Sequence, residues 1–441
     1  MTNDVKNHFD AKRTSADRAM EIVQSGENIS MGMALGEPPA LLQALADRIE
    51  KAKLSDLKLW YFHSMPEAAE TVLTYELMDR ITPHCMFMGP IERELVKRGE
   101  ADGRKVVNFV PVAFSDAPKL LSEHVKIDTF VTTVSPMDRH GYFSFGANND
   151  YASTAARAAR RTIVEINQHM PRVFGDSMIH VSEVDAIVEH HLPLFEMPER
   201  PPSKAEEKIG ALVANLIPDG ACLQMGIGAT PNVVCQHLKS RRDLGIHTEL
   251  LSPGLVDLID CGAVNNRCKK TFPGRTVFTF ALGNRRMYDL IHDNPSINSH
   301  PVDIVNDPRH IAKNDTVVSV NATLQVDLTG ACNSEALGQR QYSGSGGQLD
   351  FVRGARRSKN GRSIIATCST AKDGAVSAIV PELTGAVTTP RNDVDTIVTE
   401  FGCARLIGLS AEERARALIQ LAHPNHRAQL TKQAELLRLI D

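Results

Sequence analysis

The chain has 441 residues, 42% of them hydrophobic, and a formal net charge of −4, which predicts two or more globular domains. The acidic balance argues against nonspecific nucleic-acid binding. No run of about 18 apolar residues offers a membrane span, and the polar, mixed-charge stretch from Met1 to Asp17 lacks the apolar core of a secretory signal.

The first half opens with a predicted helix, Asp17 to Gln24, a turn at Gly26 and a strand from Ile29 to Gly32. Gly36-Glu-Pro-Pro39 then starts a second helix, Ala40 to Ile49. Near the middle, Leu192 to Ser203 contains Pro193, Pro198 and Arg200-Pro-Pro202 and reads as an extended linker, because proline resists both helix and central strand. This divides the chain into an N-terminal α/β domain, 1–195, a linker, 196–204, and a C-terminal α/β domain, 205–441.

The second half repeats the opening pattern. Ser203 and Glu206 form a capping box for a helix from Ala205 to Leu216. Pro218-Asp-Gly220 turns the chain, Ala221 to Gly226 reads as a strand, and Thr230-Pro231 has the signature of an N-cap followed by the first helical position. The spacing from turn glycine to strand-end glycine is the same in both halves, Gly26 to Gly32 and Gly220 to Gly226. A duplicated α/β architecture with ligand-carrying strand-to-helix turns follows.

The turn Gly226-Ile-Gly-Ala-Thr-Pro231 lacks the third glycine of a dinucleotide fingerprint, which disfavours a nicotinamide site. A turn presenting N–H groups to a phosphate or pantetheine chain fits better, and a plain tight turn is the bland alternative. Leu244 to Ser252 reads as a strand running into a turn at Pro253-Gly254, with Glu249 its lone acid. A carboxylate there either reacts with or binds a phosphate-bearing cofactor. The loop Ser343-Gly-Ser-Gly-Gly347 allows close backbone approach and N–H donation to an oxyanion, or is simply flexible. Arg353, Arg356, Arg357, Lys359 and Arg362 follow it and read as a solvated basic loop or as phosphate contacts. Lys372, beside a small-residue turn, stands where a side chain reaches a ligand. Ser410 and Glu413 cap a last amphipathic helix through Leu421.

Other chemistries lack their signatures. There is no HExxH, GxSxG or GxxxxGK[ST], so zincin, serine-hydrolase and Walker-type ATPase readings fall away. The 16 histidines include one adjacent pair, His190-His191, and read as solvent or core residues. The eight cysteines form no CxxC, which predicts reduced thiols in a cytoplasmic protein and no metal site.

Several segments taken together resemble the acetyl-CoA hydrolase/transferase family, the acyl-CoA:carboxylate CoA-transferases that include acetate, 4-hydroxybutyrate and itaconate enzymes. They are Val134-Ser-Pro-Met-Asp-Arg-His-Gly-Tyr142, Met170-Pro-Arg-Val-Phe-Gly-Asp-Ser177, Met225-Gly-Ile-Gly228, Leu244-Gly-Ile-His-Thr-Glu249, Gly344-Ser-Gly-Gly-Gln-Leu-Asp-Phe351 and Ala422-His-Pro424, in order along nearly the whole chain. The resemblance implies two similar open α/β domains with the active site in the cleft between them. It implies that Glu249 is the catalytic glutamate that forms a glutamyl-CoA thioester, that Gly347 supplies an oxyanion donor, and that Asn306 steadies the acyl group. It also implies CoA contacts at Gly226, Ile227, Gly228, Ala229, Thr230, Ser343 and Lys372. It implies further that no cofactor is permanently bound and that coenzyme A is substrate and covalent intermediate. The partners are acyl-CoA and small carboxylic acids, with no nucleic acid or membrane, and a homodimer or larger homo-oligomer is the usual assembly. Many relatives carry Met and Asp where this chain has Leu250 and Pro253, which alters the acyl fit beside the glutamate.

Glutamate suits this reaction because its carboxylate, with a reference pKa of about 4.3, needs no general base at neutral pH unless strongly buried. An acyl-CoA hydrolase on the same scaffold, a non-catalytic acyl-CoA sensor and a dehydrogenase are the competing readings. In the first half, Tyr61, His63 and Arg139-His140 are either contacts for a second carboxylate or packing and surface residues.

Overall fold

The computed structural model describes residues 3–441 apart from residue 199; Met1, Thr2 and the linker residue Glu199 lie outside the described residues. The chain forms two compact units, one of Met1–Met197 with Val277–Ile304, the other of Pro198–Thr276 with Val305–Asp441. The division thus falls inside the proline-rich linker, but the segment Val277–Ile304 rejoins the first unit. Local hydrogen bonds show why: the Met197 N–H donates to the Gly283 carbonyl at 2.7 Å, the Tyr288 hydroxyl to the Phe195 carbonyl at 2.8 Å, and Arg172 pairs with Asp293 at 2.5 Å.

The first unit is built on a seven-stranded sheet. Its spatial order is Ala186–Glu189, Arg161–Ile166, Thr129–Val134, Asn28–Met31, Leu57–Tyr61, Ile81–Cys85 and Asn108–Phe109, every pair parallel. A parallel sheet is covered on both faces, so its central strands are buried throughout. Leu57–Tyr61 and Ile81–Cys85, nearer one edge, alternate, whereas Thr129–Val134 is buried at all its positions. Its threonines find partners there. Thr132 Oγ1 donates to the Gly36 carbonyl at 3.1 Å and Thr133 Oγ1 to the Glu37 carbonyl at 2.7 Å, fixing the turn that starts helix Pro39–Glu50. That helix buries Leu41, Leu42, Leu45 and Ile49, each worth roughly 2 kcal/mol of apolar burial. The helix expected over Asp17 to Gln24 is shorter, Ala16–Met20, and a helix not expected from the sequence, Asn3–Lys12, precedes it.

The second unit carries a six-stranded sheet in the order Gly245–Ile246, Cys222–Met225, Val317–Ala322, Arg362–Ala366, Thr396–Thr399 and Gly402–Arg405, parallel except for the last pair. In each unit the first long strand lies between the strand that follows it and a third strand, and two more parallel strands continue on that third strand's side. The duplicated pattern of the sequence is therefore a shared strand order. Ser203 and Glu206 close the expected capping box on helix Lys204–Asn215, and Ser410 and Glu413 do so on Ala411–Leu421.

Helix Ala229–His237, which leaves the glycine turn, packs against Lys204–Asn215 at Gly210, where a Cβ would strike the side chain of Val233. Thr230 is not its N-cap. Gly228 takes that place with φ 119°, a conformation that L side chains rarely adopt, and Thr230 and Pro231 lie inside the first turn. The predicted turn at Pro253-Gly254 is instead the start of a helix, Pro253–Asp260, with Pro253 at its first position. The basic residues after Gly347 are likewise not a loop. Arg353 and Arg356 lie on helix Gln348–Arg357 and engage Asp393.

Candidate active site

Glu249 occupies a bend just past strand Gly245–Ile246, before the short pair Leu250–Leu251, rather than the end of one continuous strand. The strand is at the sheet edge, and a loop takes the place of the missing neighbour. Asn266 Oδ1 accepts the Ile246 N–H at 2.9 Å, while Lys269 Nζ donates to the Ile246 carbonyl at 2.7 Å and the Arg275 carbonyl at 2.6 Å. Covering an edge with side-chain donors and acceptors satisfies its backbone without another strand. Lys269 is buried with no acidic partner among the described residues, and that burial lowers its pKa to about 8.

Three distant segments meet at the Glu249 carboxylate. The Asn306 carboxamide donates from Nδ2 to Oε2 at 2.6 Å. The Gly347 main-chain N–H donates to the same carboxylate from the N-cap position of helix Gln348–Arg357. Gly347 is required by space rather than by dihedral angle: a Cβ there would run into Glu249 Oε2 and Asn306 Nδ2. Asp350, buried one turn into that helix, faces Glu249 as a like charge. Burial is the largest influence and raises the Glu249 pKa to about 7; the Asp350 charge raises it as well, and the Asn306 and Gly347 donors oppose both. Full ionisation at neutral pH, expected from the reference value, therefore gives way to a carboxyl poised near neutrality.

Of the remaining predicted residues, the turn Gly226–Thr230 sits at the carboxyl end of one of the second unit's parallel strands, where open α/β sheets bind ligands. The turn Gly226–Thr230 follows Cys222–Met225, and register Cys222↔Gly245, Leu223↔Ile246 sets it beside the strand that leads to Glu249. Gly226 donates its own N–H to the Val320 carbonyl at 3.0 Å. The N–H groups that open helix Ala229–His237 have no intrahelical acceptor and suit an anion. Ile227 beside them is 50% exposed. Lys372 follows strand Arg362–Ala366 on an exposed hairpin tip with φ 50°. Ser343 is half-buried in the loop before Gly347. Glu249, Asn306 and Gly347 are in direct contact; Gly226–Thr230, Ser343 and Lys372 share their unit.

In the first unit the Tyr61 hydroxyl donates to buried Glu92 at 3.1 Å, a packing role, and Arg139 and His140 form an exposed turn. Sequence reasoning missed Asp350, Lys269 and His247. The first falls in the matched run Gly344–Phe351 without standing out; the other two are polar residues in apolar surroundings, a signal shared with many satisfied core residues. Among the described residues no cluster of His, Cys, Asp and Glu could hold a metal, and no helix is long and apolar enough to cross a membrane.

The acetyl-CoA hydrolase/transferase N-terminal domain matches residues 2–195 and its C-terminal domain residues 283–434. Succinyl-CoA:cyclohexane-1-carboxylate CoA transferase from Geobacter metallireducens is 44% identical over 431 residues, 97% of this chain and 96% of that protein. 4-Hydroxybutyrate coenzyme A transferase from Clostridium kluyveri is 43% identical over 426 residues, covering 96% and 97%. The crystal structure of RipA from Yersinia pestis is similar with a TM-score of 0.97 at 57% identity, over 99% of this chain and 100% of that one. The chain belongs to the acetyl-CoA hydrolase/transferase family, and it is a CoA-transferase.

Proposed function

We propose that this enzyme moves CoA between small carboxylic acids, of the 4-hydroxybutyrate, acetate or itaconate type, by ping-pong transfer through a glutamyl-CoA thioester on Glu249. The observation that carries the reading is the pair of donors on one carboxylate, Asn306 Nδ2 and the Gly347 N–H. The ionised carboxylate attacks the acyl carbonyl of the donor, the C–S bond breaks, and a mixed anhydride and CoA thiolate result. The thiolate attacks the glutamyl carbonyl, the first acid leaves, and the thioester remains. The incoming carboxylate then attacks the thioester, regenerating an anhydride and thiolate; the thiolate takes the new acyl group and frees Glu249.

When the thiolate attacks the glutamyl carbon, negative charge gathers on a glutamyl oxygen. The oxygen that receives the Asn306 hydrogen bond in the resting enzyme is already placed among donors, so little reorganisation accompanies the charge. Gly226 to Thr230, Ser343 and Lys372 are assigned to CoA itself. Remote binding of that long molecule supplies the energy that orients the reacting groups. A cytoplasmic homo-oligomer is the accompanying expectation.

The test is to incubate the enzyme with donor acyl-CoA alone, reduce with borohydride and digest. A peptide reduced at Glu249 is expected, and CoA moves to labelled acceptor acid when the acid is added. A peptide map in which only unmodified Glu249 appears, despite active transfer, overturns the covalent route.

A further inference from the structure

We infer that His247 is a positioning residue for this reaction, holding the Asn306 carboxamide on Glu249 through a hydrogen bond to the Val305 carbonyl. The inference rests on Glu249 as the nucleophile and asks what fixes its partner. His247 is buried, two residues before Glu249, and its Nε2 lies 2.7 Å from the Val305 carbonyl oxygen. A carbonyl only accepts, so Nε2 carries the hydrogen. The bond therefore ties the peptide just before Asn306 to the segment that bears Glu249.

Asn306 needs such a tie. It lies between two four-residue helices, Val302–Val305 and Pro308–Ile311, and belongs to neither. Its side chain is fully buried, yet among the described residues Oδ1 has no hydrogen-bond partner, so within them the carboxamide is held from its Nδ2 end. The Glu249 side is firm by comparison, because Asn266 and Lys269 fix both main-chain groups of Ile246. His247 joins the firm segment to the loosely anchored one. Its ring also lies 6.4 Å, centroid to centroid, from Phe351, on the helix capped by Gly347. One imidazole thus adjoins all three segments that meet at the carboxylate.

Steady-state transfer kinetics on full-length His247→Gln, His247→Phe, Asn306→Ala and the His247→Phe/Asn306→Ala double variant test this. Glutamine carries an N–H donor near the Nε2 position, whereas phenylalanine fills the volume without one. His247→Phe is expected to lower kcat by about tenfold to a hundredfold, the cost of misplacing a reacting group by about 1 Å, with KM for acyl-CoA within about twofold. His247→Gln is expected to retain kcat within about threefold of wild type. In the Asn306→Ala background, adding His247→Phe is expected to change kcat by less than about twofold, because the histidine acts through the residue already removed. Should His247→Phe fail to fold, His247→Asn serves in its place: its shorter amide falls short of Val305, and the same loss is expected. An unchanged kcat in His247→Phe, or full multiplicative losses in the double variant, overturns the inference. If Asn306→Ala itself transfers CoA at the wild-type rate, the reading of the site fails first, and the two failures are told apart.

Discussion

Asn306 and Glu249, 57 residues apart in sequence, share a 2.6 Å hydrogen bond from carboxamide Nδ2 to carboxylate Oε2. The bond stabilises the ionised form of a carboxyl that burial and Asp350 push toward neutrality. Only the ionised form is a nucleophile, so this contact bears on both the pH range of the enzyme and its rate.

Free-enzyme kcat/KM should fall as pH drops through about 7, following the Glu249 carboxyl. Asn306→Ala removes a donor to the anion and should move that limb to higher pH, with a rate loss of about 10²-fold to 10³-fold at the plateau. Asp350→Asn removes the like charge and should move the limb to lower pH. A pH profile of kcat/KM for the three proteins checks the order.

Glu249→Asp withdraws the carboxylate by one methylene from Asn306 and Gly347. A displacement of that size should cost about 10²-fold in kcat. Glu249→Gln should abolish transfer, since an amide is no comparable nucleophile. Initial rates with labelled acceptor acid distinguish the two.

Gly347→Ala would place a methyl where Glu249 Oε2 and Asn306 Nδ2 now lie. The helix Gln348–Arg357 or the carboxylate must move, and kcat should fall by about 10²-fold or more. Thermal unfolding measured beside the rates shows whether the loss is local, the expected result being a change of only a few degrees.

Gly228→Ala tests the turn. At φ 119° nothing lies within 4 Å of the added Cβ, so the penalty is backbone strain alone, about 1–3 kcal/mol. The N–H groups at the start of helix Ala229–His237 would turn away, and KM for acyl-CoA should rise by about tenfold. KM for the carboxylate acceptor should stay within about twofold.

The raised Glu249 pKa also has a stability consequence. Between the unfolded value of about 4.3 and the folded value of about 7, the native state binds more protons, so the associated stability is full at low pH and lost as pH rises through about 7. Glu249→Gln removes this dependence. Its stability should exceed that of wild type by more at pH 8 than at pH 5, by about 1–2 kcal/mol, and its Tm advantage should grow accordingly. Paired thermal melts at the two pH values provide the measurement.

Much of this was legible in the sequence where the signal is local. The capping boxes at Ser203 and Ser410 and the turn glycines Gly26 and Gly220, both at positive φ, were read from a few adjacent residues. The N-cap at Gly228 was misplaced because Thr230-Pro231 matches an ideal helix start, and the chain entered the helix earlier. Residues tied by long-range geometry carried no local mark. Lys269 gives no hint in sequence that its ammonium closes a sheet edge at Ile246, and the raised Glu249 pKa arises from burial plus Asp350, 101 positions away. Whether Val277–Ile304 returns to the first unit is equally a property of tertiary packing.

That return has a bearing on how the protein is made. The ribosome releases all seven strands of the first unit's sheet early, but the pieces that tie down Phe195, Met197 and Arg172 emerge only after the glycine turn and the Glu249 segment have been synthesised. Nascent chains usually complete their N-terminal domain first. Here that domain stays unfinished until translation is well into the second half, and a fragment ending at the linker leaves the ribosome without its last structural pieces.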